Sequence, residues 1–204
     1  MNHALFITLE GVDGAGKTTH IDFIEAYYRN KKLPFYMTRE PGGTELGEKL
    51  RQLLLHEKMD ALTETLLMFA ARCEHIQTTI QPKLDEGIIV VSDRFTDATY
   101  AYQAGGKGVD PQSIDALKHL IQKDLEPDLT FLFDVPVEVS MERLKDTRAM
   151  DKFEREAPSF HQAIRTTYLE LAQSDAKRFH VLDGTQSIPA IQEEIKNTLD
   201  RLTL

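Results

Sequence analysis

Eight residues constrain this chain more than any others. Gly11-Val12-Asp13-Gly14-Ala15-Gly16-Lys17-Thr18 satisfies the pattern G-x-x-x-x-G-K-[ST]. It lies between a short apolar run, Leu5–Leu9, and a stretch in which Ile21, Ile24 and Tyr28 recur at helical spacing. A loop of this kind uses its glycines to turn backbone N–H groups inward around phosphate oxygens, and the helix that follows adds its positive N-terminal end. Residues 11–18 with Thr19 are therefore expected to cradle a nucleoside triphosphate such as ATP. Lys17 would reach its β- and γ-phosphates, and the Thr18 hydroxyl would ligate Mg²⁺.

Such a loop needs a parallel sheet behind it, and the remaining sequence supplies one. Short apolar runs at Phe35–Thr38, Ile88–Val91, Leu129–Phe133 and Phe179–Leu182 alternate with helical stretches. These stretches cover Thr18–Asn30, Thr44–His56, Leu62–Asp85, a segment from Thr96 to a break at Gly105–Gly108, Pro111–Lys123, Pro158–Ser174 and Ile188–Leu202. Ile88–Val91 is wholly apolar and β-branched, as a strand buried on both faces must be. The expected fold is a three-layer α/β domain with a five-stranded parallel sheet flanked by helices. With no repeat and no linker, residues 1–204 form one domain. Arg143–Glu156 stands apart, with nine charged residues among fourteen. It reads either as a solvated helix surface or as a short lid over a charged ligand.

Composition removes several classes. Asp and Glu number 33 against 24 Lys and Arg, a formal net charge of −9, whereas a general nucleic-acid binder shows a basic face. The single cysteine, Cys73, allows no internal disulfide and no multi-cysteine metal site. No apolar run approaches the roughly 18 residues of a membrane span, and Ala4–Leu9 is too short for the apolar region of a signal peptide and runs directly into the glycine loop. A soluble, cytoplasmic protein is expected. The cations it does have gather where an open parallel sheet binds ligands, beyond the carboxyl ends of its strands. Lys17 follows the first strand, Arg39 the second, and Asp93-Arg94 the third. Two polyanions could meet on such a rim. No N-K-x-D guanine motif is present, which leaves a small-molecule kinase as the best class.

Four signatures in order then resemble the thymidylate kinase family over nearly the whole chain. They are Phe6–Thr19 with acidic Asp13 inside the loop, Thr38-Arg-Glu-Pro-Gly-Gly-Thr44, Leu67-Met-Phe-Ala-Ala-Arg72, and Asp93-Arg94-Phe95 with Ala101-Tyr-Gln103. The resemblance implies transfer of the γ-phosphate of ATP to dTMP. Another small P-loop kinase, of a nucleoside or a different monophosphate, is the alternative. Arg94 would bind the dTMP phosphate and Arg39 would steady it, with Arg51 nearby. Asp13 would contact the 3′-hydroxyl and its surroundings. Arg72, Thr99 and Gln103 would read the base, and Tyr102 would lie under the deoxyribose. Arg143 would pack on adenine beside the loop Asp183-Gly-Thr185. The family also suggests a homodimer, for which Leu62–Ala71 reads as a contact helix or equally as a core helix. Asp93 reads equally as a helix cap or as a carboxylate that positions Mg²⁺ through water.

Two departures from the family pattern matter. The aromatic that covers thymine usually stands four residues before the base-binding arginine. Here Met68 holds that place and Phe69 is three before Arg72. Both spacings reach one helix face, and a ring matches a pyrimidine better than a thioether does, so Phe69 is expected to stack. Gly14 also stands where some members carry an arginine. Charge at the transition state would then be neutralised from the lid segment 143–156, where Arg148 is expected to act beside Arg143 and Lys145.

Overall fold

The computed structural model of the chain describes residues 4–145 and 151–202. Five strands, β1 (Phe6–Glu10), β2 (Phe35–Arg39), β3 (Ile89–Asp93), β4 (Leu129–Asp134) and β5 (Phe179–Asp183), form one parallel sheet in the order β2-β3-β1-β4-β5. Each begins within a residue of the apolar run that predicts it. The order follows from side-chain character. β1, β3 and β4 are almost wholly buried, whereas β2 and β5 mix exposed and covered positions. Only the apolar strands tolerate a neighbour on each side and helices on both faces.

Helix α1 (Lys17–Lys31) opens directly from the phosphate loop. It is followed in the chain by α2 (Glu45–His56), α3 (Ala61–His75) and α4 (Gln81–Asp85). Thr44 and Asp60 cap α2 and α3 by accepting from the backbone N–H groups of Gly47 and Leu62. Beyond β3 come α5 (Thr96–Thr99) and α6 (Pro111–Gln122), and beyond β4 come α7 (Val137–Lys145), α8 (Pro158–Ser174) and α9 (Ile188–Leu202). Strand alternation gives the sheet its two cores. Ile7, Leu9 and Val91 share a cluster with Ile24 and Tyr28 of α1 and with Ile191, Ile195 and Leu199 of α9. On the other face Phe6 and Val90 pack with Ile76, Ile80 and Phe95.

Two helical stretches differ from the sequence reading in detail. The segment expected as one helix over Leu62–Asp85 contains a π turn at Ile76–Ile80. Pro82 explains it, since a proline has no N–H to give the preceding turn and its ring crowds that turn's carbonyl. The break expected over Gly105–Gly108 begins later, because a π-helical segment, Tyr100–Gly106, continues from α5. Gly105 and Gly106 let α8 come close. A Cβ at either would stand 2.1 Å from Thr167 Oγ1 or 2.4 Å from the Phe160 ring. Small size, rather than turn geometry, is what those two positions require.

Candidate active site

The sheet register brings the chemistry to one edge. Arg39 pairs with Asp93, and Asp93 with Leu9, so Glu10, Asp93 and Arg39 end three adjacent strands. A cavity of about 640 Å³ opens there, within the range that small-molecule sites occupy. Asp13, Gly14, Gly16, Lys17, Thr18 and Thr19 line one end of it. Gly11, Val12 and Ala15 do not line it. Val12 and Ala15 are each 2% exposed and face the core, so these three contribute backbone alone. Lys17 Nζ donates to the carbonyls of Gly11 and Val12 at 3.0 and 3.2 Å. Burial, reinforced by Arg94, pushes its ammonium below the ordinary lysine value.

Position 14 is closed to any side chain. Gly14 has φ +79°, and a Cβ there would lie 2.4 Å from the backbone oxygen of Ser140 in α7. The chain therefore has no room for a loop arginine at this position. Gly14→Ala is expected to cost at least about 1–2 kcal/mol from backbone conformation alone, with the displaced contact added. A thermal melt should show a drop of several degrees, and an unchanged midpoint would contradict this packing.

Arg94 follows β3 with φ +72°, a conformation that non-glycine residues rarely hold and that concentrates at functional sites. Ser92 Oγ donates to its carbonyl at 2.7 Å and its own N–H donates to Leu9 O at 3.0 Å. The turn aims the guanidinium into the cavity, where Nη2 donates to Asp13 Oδ1 at 2.7 Å and to the Tyr102 hydroxyl at 2.9 Å, and Nη1 to the Tyr168 hydroxyl at 3.0 Å. Tyr102 also donates to Asp13 Oδ2 at 2.7 Å. Burial alone would raise the Asp13 pKa. Arg94 first, then Lys17, overrule it and hold the carboxyl well below the usual range.

Behind this group lies Glu10, fully buried, which accepts from Phe95 N–H and from the Tyr168 hydroxyl, both at 2.7 Å. Burial, aided by Asp97 and opposed by Arg94, Tyr168 and the Phe95 amide, pushes its pKa from 4.5 up to about 8. The folded chain thus keeps a proton between those values that the unfolded chain has lost. Stability is expected to fall as pH rises through that window. Glu10→Gln should flatten the dependence of the thermal midpoint between pH 5 and 8, and an equally steep profile in the variant would assign it elsewhere.

The far wall carries Met68, Arg72, Phe95, Thr99, Tyr102 and Gln103. Arg72 is 2% exposed. Its Nε donates to Glu40 Oε2 at 2.7 Å and its Nη2 to Phe95 O at 3.1 Å, while Nη1 has no partner among the described residues. His75 closes the other side of Glu40 at 3.0 Å. Phe69 is not on this wall. Its ring is 1% exposed in a cluster with Val109 and Ile114, and it lies 4.8 Å from the Arg72 guanidinium. Phe69, expected to offer the stacking face, therefore lies behind the cavity wall, and Met68 and Phe95 are the residues that line it. Helix α3 must bury one face against α6, and Phe69 falls on it.

Arg39 and Arg51 line the cavity; Arg39 pairs with Glu48 at 2.9 Å and Arg51 donates to Pro41 O at 2.8 Å. Arg143 Nη2 donates to Gly184 O at 3.0 Å and so spans the phosphate loop and the turn after β5. Asp183 does not line the cavity. Its carboxylate accepts from Thr185 N–H at 2.9 Å and Oγ1 at 2.6 Å, closing its own turn. Asp93 and Thr18 both line the cavity, and Asp93 Oδ1 is buried without a partner among the described residues. From the charged segment, Asp151, Phe153 and Glu154 reach the wall, and Phe153 meets Tyr102 edge-to-face at 5.8 Å. Arg148 lies outside the described residues.

Sequence reasoning missed Glu10, Glu40, Phe95, Phe153 and Tyr168. The first three lie inside the motifs quoted above and Phe153 inside the charged segment, so a signal existed. Tyr168 carried none.

A phosphate loop sharing one cavity with a second, arginine-bearing rim defines a P-loop phosphotransferase that serves two anionic ligands. Comparison with known proteins agrees and goes further. The model of the family described as thymidylate kinase matches residues 9–195. The thymidylate kinase of Methylobacillus flagellatus is 54% identical over 190 residues, covering 93% of this chain and 94% of that one. That of Thiobacillus denitrificans is 54% identical over 198 residues, with 97% of each covered. A crystal structure of thymidylate kinase from Ehrlichia chaffeensis aligns with TM-score 0.79 and 34% identity over 97% of this chain and 98% of that one. The chain belongs to the thymidylate kinase family and is an ATP-dependent nucleoside monophosphate kinase.

Proposed function

We propose that this one cavity holds both substrates, ATP along the phosphate loop and dTMP against the wall of Met68, Arg72 and Gln103. A dTMP phosphate oxygen attacks the γ-phosphorus in line, the bond to the β,γ-bridging oxygen breaks, and dTDP and ADP leave. The observation that carries this reading is the Arg94–Asp13 pair at 2.7 Å, which joins the phosphate loop to a permanent cation on the opposite rim. Arg94, steadied by Arg39 and Arg51, takes the dTMP phosphate, since a guanidinium bonds phosphate bidentately and never loses its charge. Asp13 faces the 3′-hydroxyl, and Tyr102 underlies the deoxyribose. Arg72 and Gln103 read the base beside Thr99, and Met68 and Phe95 cover its faces. Arg143 packs on adenine.

Lys17 leaves its two loop carbonyls for the β- and γ-phosphates, which are stronger acceptors. Thr18 and Asp93 would hold Mg²⁺, which when bound neutralises charge on the transferring group. Two facts support that pair: they share the cavity, and buried Asp93 Oδ1 is without a partner among the described residues. The chain acts as one unit over 1–204 with residues 143–156 as a lid, from which Arg148 supplies the cation that position 14 cannot. It works in the cytoplasm as a homodimer through α2 and α3, where Leu46, Leu53, Leu62 and Leu66 are each 45–49% exposed.

The test is coupled ADP release with a nucleotide panel. We expect strong turnover of dTMP, weaker turnover of dUMP and almost none of UMP, whose 2′-hydroxyl meets Tyr102. Comparable kcat/KM for UMP and dTMP would overturn the sugar and base assignments.

A further inference from the structure

Two side chains that face the base, Arg72 and Gln103, differ in one respect. Arginine can only donate hydrogen bonds, whereas a glutamine amide donates from one end and accepts at the other. Which end Gln103 shows to the cavity determines which pyrimidine the wall can pair with. A thymine or uracil edge carries an acceptor at O4 and a donor at N3–H. Cytosine carries the reverse order, a donor amine at C4 and an acceptor at N3.

The choice is made behind the wall. Gln103 Nε2 donates to Glu64 Oε1 at 3.1 Å. Glu64 is fully buried on α3 and does not line the cavity, whereas Gln103, itself 1% exposed, does. Two ammonium groups face the same carboxylate, Lys107 at 2.8 Å and Lys152 at 2.7 Å. A carboxylate between two ammonium groups accepts hydrogen bonds and gives none, so it attracts only the N–H end of the amide. Turning Gln103 over would set its carbonyl oxygen against a buried carboxylate in a low-dielectric place, which is strongly disfavoured.

We propose that Glu64 is a positioning residue that locks the Gln103 amide with its oxygen toward the nucleotide, and thereby admits a thymine or uracil edge and rejects cytosine. The wall then presents Arg72 Nη1 as donor beside Gln103 Oε1 as acceptor, the complement of O4 and N3–H. This inference rests on the reading above that Arg72 and Gln103 meet the base. It leaves the methyl group of thymine unread, so dTMP and dUMP should respond alike.

The test compares kcat/KM for dTMP, dUMP and dCMP in the wild type, Glu64→Gln and Gln103→Leu, with thermal midpoint and KM for ATP as controls on folding. A neutral amide at 64 can both donate and accept, so Gln103 becomes free to turn. Glu64→Gln is expected to lower kcat/KM for dTMP and dUMP together by roughly 10- to 100-fold and to raise the dCMP-to-dTMP ratio at least tenfold. KM for ATP should stay within about twofold. Arg72 still opposes the cytosine amine, which keeps the ratio below unity. If Gln103→Leu raises the ratio but Glu64→Gln does not, the positioning role of Glu64 is overturned and the base reading stands. If Gln103→Leu leaves the ratio unchanged, the base reading fails and this inference with it. Should Glu64→Gln not fold, the charge-balanced pair Glu64→Gln with Lys107→Met carries the same expectations. A uniform loss across all three nucleotides in that pair would show a merely structural role.

Discussion

Arg94→Ala should lower kcat/KM for dTMP by roughly four orders of magnitude. Removing one preorganised donor from a developing charge costs about 10²–10³ in rate, and Arg94 also supplies ground-state binding of the acceptor phosphate. Its removal strips Asp13, Tyr102 and Tyr168 of a shared partner at 2.7–3.0 Å. The Arg94 and Asp13 side chains are 14% and 26% exposed on the cavity side, so water can reach the Asp13 carboxylate. The stability loss is then smaller than the 3–5 kcal/mol of a fully buried pair, about 1–3 kcal/mol. The positive φ supplies a second comparison. Arg94→Gly relaxes a backbone that alanine would still strain by about 1–2 kcal/mol. The glycine variant should melt higher than the alanine variant while both remain inactive. Steady-state kinetics over a wide dTMP range with paired melts checks this. An alanine variant within tenfold of wild type would remove Arg94 from phosphate binding.

Lys17→Ala should reduce kcat by about 10³-fold, because its ammonium is worth most where charge spreads over the transferring phosphoryl group. The sequence alone suggests a lysine in a solvent-reaching loop whose loss the apo fold would scarcely notice. The structure modifies that expectation. Lys17 is 7% exposed and bonds two loop carbonyls, yet burial and Arg94 together disfavour its charge. These effects largely offset, so apo stability should fall by only about 1–2 kcal/mol, equivalent to a few degrees in thermal midpoint for a chain of this size. Single-turnover transfer and apo melts measured together separate the two contributions. A large loss of apo stability with mild kinetic change would make Lys17 a structural residue.

The mutation pair also shows what kind of information each level carries. Arg94 stands out in the sequence because a permanent cation directly follows a β-branched strand, a position where burial without a ligand is expensive. Nothing local indicates that Tyr168, 74 residues later, donates to Glu10 and accepts from Arg94. Residues on β1, just beyond β3 and on α8 meet only because the strand order folds them over one edge.

The same division runs through the whole site. Strands and the phosphate loop are governed by short-range rules: alternation, β-branching, glycine where backbone must turn, and an arginine or lysine where phosphate must bind. A single chain therefore states them openly, and all five strands begin within a residue of their apolar runs. Helix-face choices are not local. Met68 and Phe69 are adjacent and both apolar, and which one meets the cavity depends on where α6 packs against α3. Asp183, in the loop expected beside adenine, likewise shows only in three dimensions that its carboxylate accepts from Thr185 in its own turn. The sequence by itself determined the fold, the phosphate chemistry and the cations on the rim, because each follows from residue type and spacing. Only the tertiary structure decided which end of the Gln103 amide meets Glu64, which neighbour of Phe69 lines the wall, and why position 14 must be glycine. Those depend on what a distant element presses against each side chain, and spacing along one chain does not encode that.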